Sequence, residues 1–327
     1  MPLPSFDLLF EARISVKFRA IPDMEAHVVR IGHKFRIGIG TAALVLAATM
    51  TSPVSAADPP DWSAPVQPFH IAGPVYYVGT KGLAAYLIRS PQGAILLDGT
   101  LARNAALIES NIQSLGVPLH EVRLLINDHA HEDHAGALAQ IKRDSGARLF
   151  ASAGDRWALE HGLPRGDIDY RPRPFPSVKV DAIVRDGQQI RLGDIVLTAH
   201  LTPGHTPGCT SWSMTVRDGG TPRRLLFLCS ITVAGNILVG NHAYPAIVRD
   251  YRATFAKLST MRADILLTSH PEMADVLGRE ARREAGDRDS FVDTHALPRL
   301  VASSKADFER ALAKTSGATT DQDGGVE

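Results

Sequence analysis

The sequence predicts an α/β protein, an αββα sandwich in which two β-sheets lie between outer helices. Two observations predict it. Short runs of branched and apolar residues come in two groups, each followed by helical stretches, and two sheets covered by helices would bury such a set. Several strand ends also hand over to histidine-bearing turns, and the carboxyl ends of strands are where open α/β folds gather their ligands.

The first group opens with Val75–Val78, Ala84–Ile88 and Ala94–Leu97. They are separated by Gly79-Thr80-Lys81-Gly82 and by Pro91-Gln92-Gly93, turn chemistry that suits an antiparallel start. Ala102–Leu115 reads as a helix, with apolar residues at Ala105, Ala106, Leu107, Ile112 and Leu115. Val122–Ile126 (VRLLI) is an apolar branched run, expected as a buried strand. After it comes HAHEDH (129–134), then the small, helix-friendly Ala135–Ile141. Ala147–Ala151 is expected as a strand, Asp155–His161 as a short helix and Leu163–Pro176, rich in Pro, Arg and Asp, as a loop.

A second group of strands follows: Val178–Val184, Gln189–Leu192, Ile195–Leu201, Thr210–Val216 and Arg224–Leu228. Gly193-Asp194 and Asp218-Gly219-Gly220 supply hairpin turns. The pattern closes with helix Ile247–Met261, strand Ile265–Thr268 and helical material from Glu272. The Gly-, Thr- and Asp-rich stretch 315–327 is expected to be disordered.

The beginning of the chain reads differently. Arg30, His33, Lys34 and Arg36 precede the uncharged run Ile37–Met50, and Val54-x-Ala56 fits a signal-peptidase exit. The run falls short of the roughly 20 residues that a membrane-spanning helix needs. Residues 1–56 are therefore read as a signal peptide with an N-terminal extension, Met24 being a candidate start, and residues 57–314 as a single domain. Export to the periplasm follows, with no membrane association after cleavage.

Composition narrows the function. The 327 residues are 44% hydrophobic and 21% charged, with 35 basic and 35 acidic side chains. Beyond residue 56 the balance is 29 basic against 31 acidic, net −2, with no basic stripe, which argues against a nucleic-acid partner. Two cysteines occur, Cys209 and Cys229. In an exported chain they are a candidate disulfide; two reduced, buried thiols are the other reading.

Imidazole and carboxylate packed this densely are what a zinc site needs. His129 and His131, two apart, can point one way, while Asp133 and His134 point to a neighbouring spot, so one loop could serve two metals. Two further strand ends deliver histidine: His205 at the apex of TPGHTPG (202–208), and His270 in LLTSHP (266–271). The other histidines lack this placement.

HAHEDHAGA, TPGHTPGCTSW and LLTSHP, in that order, resemble the metallo-β-lactamase superfamily. The resemblance runs from about Tyr76 to His270 and implies that family's fold of two mixed sheets and its two-zinc site. His129, His131 and His205 would hold the first zinc; Asp133, His134 and His270 would hold the second. Asp98 in LLDGT matches an early strand-end aspartate that supports the metal loop. Glyoxalase- and lactonase-type members carry a bridging aspartate after a later strand. Here that strand reads LFLCSITVAGN (226–236), with Cys229-Ser230 at the place and no acid.

That departure, the Asp133-His134 pair and AYPAIVRDYRATFAKL (243–258) look like the third subclass of metallo-β-lactamases. The resemblance implies hydrolysis of penicillins, cephalosporins and carbapenems by a metal-bridging hydroxide oriented by Asp133. It gives Ser230 and Thr232 the substrate carboxylate, and implies a small-molecule substrate and a monomer. Another exported two-zinc hydrolase, a lactonase or thioester hydrolase, is the alternative. Cys229 stands where other subclasses place a zinc-ligating Cys, whereas some third-subclass enzymes pair cysteines here; the complete ligand set and the compartment favour the Cys209–Cys229 disulfide.

Overall fold

A computed structural model describes residues 58–320. The expected signal peptide, its extension and the last residues of the tail lie outside the described residues. Among the described residues, twelve strands form two mixed sheets flanked by helices.

The first sheet holds β1 (Phe69–Ala72), β2 (Val75–Tyr77), β3 (Tyr86–Ser90), β4 (Gly93–Leu97), β5 (Val122–Ile126), β6 (Arg148–Ser152) and β7 (Ala182–Val184), in that order. Pairing is antiparallel from β1 to β4 and parallel from β4 to β7. The parallel part requires crossovers, and α1 (Ala105–Ser114), α2 (Glu132–Ala135), α3 (Leu138–Ser145) and α4 (Ala153–His161) lie in them.

The second sheet is ordered β12 (Ile265–Thr268), β11 (Thr221–Leu228), β10 (Thr210–Asp218), β9 (Ile195–Leu201) and β8 (Gln189–Leu192). Only β11 and β12 pair in parallel. Helices α5 (Ile247–Thr260), α6 (Val276–Glu284) and α7 (Ala296–Thr320) complete the described residues.

Strand alternation builds the layers. In β3 and β4, Tyr86, Ile88, Ile95 and Leu97 join the core between the sheets. Their neighbours Leu87, Ala94 and Leu96 join a second core under α1 and α3. Both faces are buried, so these strands read as nearly continuous apolar runs. Each buried Ile or Leu contributes on the order of 1.5–3 kcal/mol. On the far side Phe308 of α7 packs on Tyr251 and Phe255 of α5, with ring centroids 5.0 and 5.7 Å apart.

Three differences from the sequence reading have physical causes. β1 was not anticipated, because its four residues mix apolar and polar types and its pairing is interrupted by an irregularity between His70 and Ala72. The expected strand Val178–Val184 forms only at 182–184, and it closes the first sheet rather than entering the second. Upstream, Val178 and Val180 are buried against the α4 side, and the Val178 N–H bonds the Leu159 carbonyl instead of a ladder partner. Finally, α7 continues through Thr320, so residues 315–320 are helical where disorder was expected. Ala311 and Leu312 pack on the core one turn earlier, and the Thr315 hydroxyl donates to the Ala311 carbonyl, which carries the helix onward.

One consequence of the topology places the site. β4, β5 and β6 run parallel, so their carboxyl ends share one edge. β9, β11 and β12 likewise point one way. The segments leaving these six strands carry the six expected metal ligands together with Asp98, Asp155, Ser230 and Thr232.

Candidate metal centre

Asp98 follows β4 in a left-handed backbone conformation, φ 62°. Its Oδ1 accepts from the Asn127 side-chain amide at 2.8 Å and from the Asp128 N–H at 2.9 Å, which anchors the loop leaving β5. Its Oδ2 faces His134 Nδ1 at 4.0 Å. Burial and the neighbouring Asp128 carboxylate push the Asp98 carboxyl well above its ordinary range.

The loop then delivers His129 and His131, while Asp133 and His134 sit on α2, a single helical turn rather than the loop expected. His129 Nδ1 lies 2.8 Å from Asp128 Oδ1, and His205 Nδ1 donates to the Thr232 carbonyl at 2.9 Å. Each bond fixes a tautomer that leaves Nε2 as a free lone pair. The rings of His129, His131 and His205 meet edge to face, centroids 4.6–4.9 Å apart, and donor atoms of all three lie within 4.8 Å of one another. Burial disfavours their charged forms and lowers them to about 4, 3 and 3. At neutral pH three neutral imidazoles therefore converge.

The second group is tighter. Asp133 Oδ2 lies 3.2 Å from His134 Nε2 and 3.3 Å from His270 Nε2, and the two nitrogens are 3.2 Å apart. A tetrahedral shell with bonds of about 2.0 Å sets its donors about 3.3 Å apart. Donor type and spacing both fit zinc. Burial pulls the His134 imidazole down, but Asp133 overrides it and holds the group at about 10. Burial likewise raises Asp133, and His134 with His270 reverse this, holding it well below the carboxylate range. Asp128, His129 and His134 also cluster within 4.8 Å, but Asp128 is already spoken for by His129 Nδ1.

All six sequence-predicted ligands therefore converge on one site. Ser230 and Thr232 are there too: their hydroxyls lie 3.0 Å apart and line a cavity of about 290 Å³ with His131, Asp133, His205 and His270. A larger opening, about 930 Å³, lies against β9–β11 and holds none of the donor groups. Cys209 and Cys229 form a disulfide, Cα atoms 5.9 Å apart, so Cys229 is not a thiolate ligand.

Sequence reasoning missed the walls of the cavity. Trp62, 5.7 Å from the His270 ring, is one. Tyr170, Arg173 and Glu132 are others. Burial, then the adjacent Asp133, raises Glu132 to about 7. Tyr170 and Arg173 come from the stretch read only as a loop. That loop is stitched to the segment after β11 by the Ile168–Asn236 bridge and by Asp167, whose carboxylate accepts from the His242 N–H at 2.6 Å. Arg173 also pairs with Asp58, which Arg103 holds from the other side at 2.6 Å. No periodicity marks these residues, because long-range pairing alone brings them in.

Asp155 was missed as well. It follows the third parallel strand end, but its partners lie 25 to 53 residues away and nothing local marks it.

The metallo-beta-lactamase superfamily model matches residues 82–270. Among solved structures, the chain is 45% identical to BJP-1, a subclass B3 metallo-beta-lactamase of Bradyrhizobium japonicum. The match covers 80% of this chain and 98% of that one, TM-score 0.76. It is 36% identical to FEZ-1 metallo-beta-lactamase from Legionella gormanii, covering 78% and 98%, TM-score 0.73. A curated hydroxyacylglutathione hydrolase of Anaeromyxobacter dehalogenans is 29% identical over 101 residues, 30% of this chain and 32% of that protein. The chain thus spans only about a third of that curated relative's length.

Proposed function

The chain belongs to the metallo-beta-lactamase superfamily, and from that premise we propose that it hydrolyses the amide bond of β-lactam antibiotics with two zinc ions. The observation that carries the reading is the second donor group. Asp133, His134 and His270 close it without help, and the segment after β11 offers a disulfide and Ser230 where a glyoxalase- or lactonase-type site would carry a bridging carboxylate. The likeness to subclass B3 enzymes over nearly their whole length supports it.

His129, His131 and His205 would hold one ion; Asp133, His134 and His270 the other. Zinc supplies Lewis acidity there and brings the pKa of water to about 7. The protein does the rest. The free oxygen of Asp133 orients the attacking water toward the lactam carbonyl. Ser230 and Thr232 donate to the substrate carboxylate and fix its distance from the metal floor. Trp62 and Tyr170 cover the bicyclic body and limit entry of bulk water. Penicillins, cephalosporins and carbapenems share the carboxylate beside the lactam nitrogen that this arrangement reads. The chain acts after export, in the periplasm, where the disulfide is at home. No helix among the described residues is long and apolar enough to cross a membrane.

A thioester hydrolase is the second reading, favoured by the curated relatives, which include hydroxyacylglutathione hydrolases and an acyl-coenzyme A thioesterase of Homo sapiens. The test of the first reading is carbapenem hydrolysis by the purified chain. It should vanish with a chelator, return with zinc, and be absent in His270→Ala. Turnover indifferent to chelation would overturn it.

A further inference from the structure

Ser152-Ala153-Gly154-Asp155 opens α4 with the spacing of a capping box, in which the serine and the acid would satisfy the first N–H groups of their own helix. They do not. No side-chain cap bond forms, and both side chains turn to the metal loops instead. The Ser152 hydroxyl donates to the Gly208 carbonyl at 2.6 Å. Asp155 Oδ1 accepts from the Gly208 N–H at 2.9 Å, and Oδ2 from the Ala130 N–H at 3.1 Å and the Thr206 hydroxyl at 2.8 Å.

The addresses of these donors matter. Ala130 lies between His129 and His131, and Thr206 follows His205. One carboxylate, 2% exposed, thus grips the backbone on both sides of the three-histidine group. Two glycines make the approach possible. A Cβ on Gly208 would stand 2.2 Å from Ser152 Oγ, and one on Gly154 would stand 2.4 Å from the Pro207 carbonyl oxygen. The disulfide ties the next residue, Cys209, to Cys229 and so fixes the other side of the turn.

We propose that Asp155 is a positioning residue, which sets the spacing of His129 and His131 against His205 and thereby the metal affinity of that group. This rests on the reading that the histidines hold metal. Asp155 touches neither a ligand atom nor the cavity, so it acts only through the two loops. Asp133, His134 and His270 receive no bond from it, and their affinity should not depend on it.

The test is a zinc titration of the full, oxidised chain against a chromophoric chelator, the two binding steps being assigned with His205→Ala and His270→Ala. Asp155→Asn replaces an acceptor with a donor facing donors. It should weaken the step assigned to His205 by about 10–100-fold and leave the other within about threefold. Thr206→Val removes one of the three bonds, cannot threaten the fold to the same degree, and should weaken the same step by less. A purely structural role would lower both steps together. Unchanged binding, or equal loss at both steps in Thr206→Val, overturns the proposal. Failure of the unmodified chain to bind zinc would overturn the metal reading and this one with it.

Discussion

His134 Nε2 and His270 Nε2 stand 3.2 Å apart across 136 residues of sequence, with Asp133 Oδ2 within 3.3 Å of both. Only a proton shared within this triangle, or a cation at its centre, makes such crowding of lone pairs stable. The contrast with the neighbouring group is chemical. His129, His131 and His205 are neutral in the metal-free protein, whereas His134 carries its proton up to about pH 10.

Metal binding should therefore release protons unequally. At pH 7.5 the imidazoles of the first group give up none, since they lie at about 3 to 4, and any proton from that step comes from water on the bound ion. The second must expel the His134 proton, so it releases about one per ion, and its affinity falls about tenfold for each pH unit lowered. Acidification empties the second group first. Calorimetric zinc titrations in buffers of different ionisation enthalpy measure the count directly; a second step that releases no more protons than the first contradicts this account of the site.

The disulfide predicts a separation of stability from metal content. Its cysteines are 20 residues apart, and opening a loop of that size destabilises by about 3 kcal/mol. Cys229→Ser should lose roughly 6–12 °C in melting temperature yet retain its full zinc content. Loss of one zinc equivalent would return Cys229 to the ligand shell.

Ser230 and Thr232 sit on the cavity wall with hydroxyls 3.0 Å apart. If they grip the substrate carboxylate, each contributes about one charged hydrogen bond. Ser230→Ala and Thr232→Val should each raise KM for benzylpenicillin about tenfold, with kcat within about threefold. A fall in kcat at constant KM would show that they act on the chemistry or on His205, whose Nδ1 bonds the Thr232 carbonyl.

The legibility of the chain follows from how local each signal is. Val122–Ile126, Gln189–Leu192, Ile195–Leu201 and Ile265–Thr268 match their strands residue for residue, because apolar runs and bracketing turns sit together in the sequence. The six histidine and aspartate donors were readable for the same reason: each follows a strand that announces itself. Asp155, Trp62, Tyr170 and Arg173 were not. Their roles depend on partners 25 to 208 residues away, such as Ala130 for Asp155 and His270 for Trp62. β7 was assigned to the wrong sheet because an edge strand of three residues carries no mark of its neighbour.

The central claim is that this centre is built for a lactam amide. Its most direct test is a comparison of kcat/KM for a carbapenem, an acyl-homoserine lactone and an acyl-glutathione thioester, using one zinc-loaded preparation. The account predicts that the carbapenem exceeds both others by at least about a hundredfold and that a chelator abolishes its turnover. Bound zinc with negligible carbapenem turnover and fast thioester or lactone cleavage would contradict it.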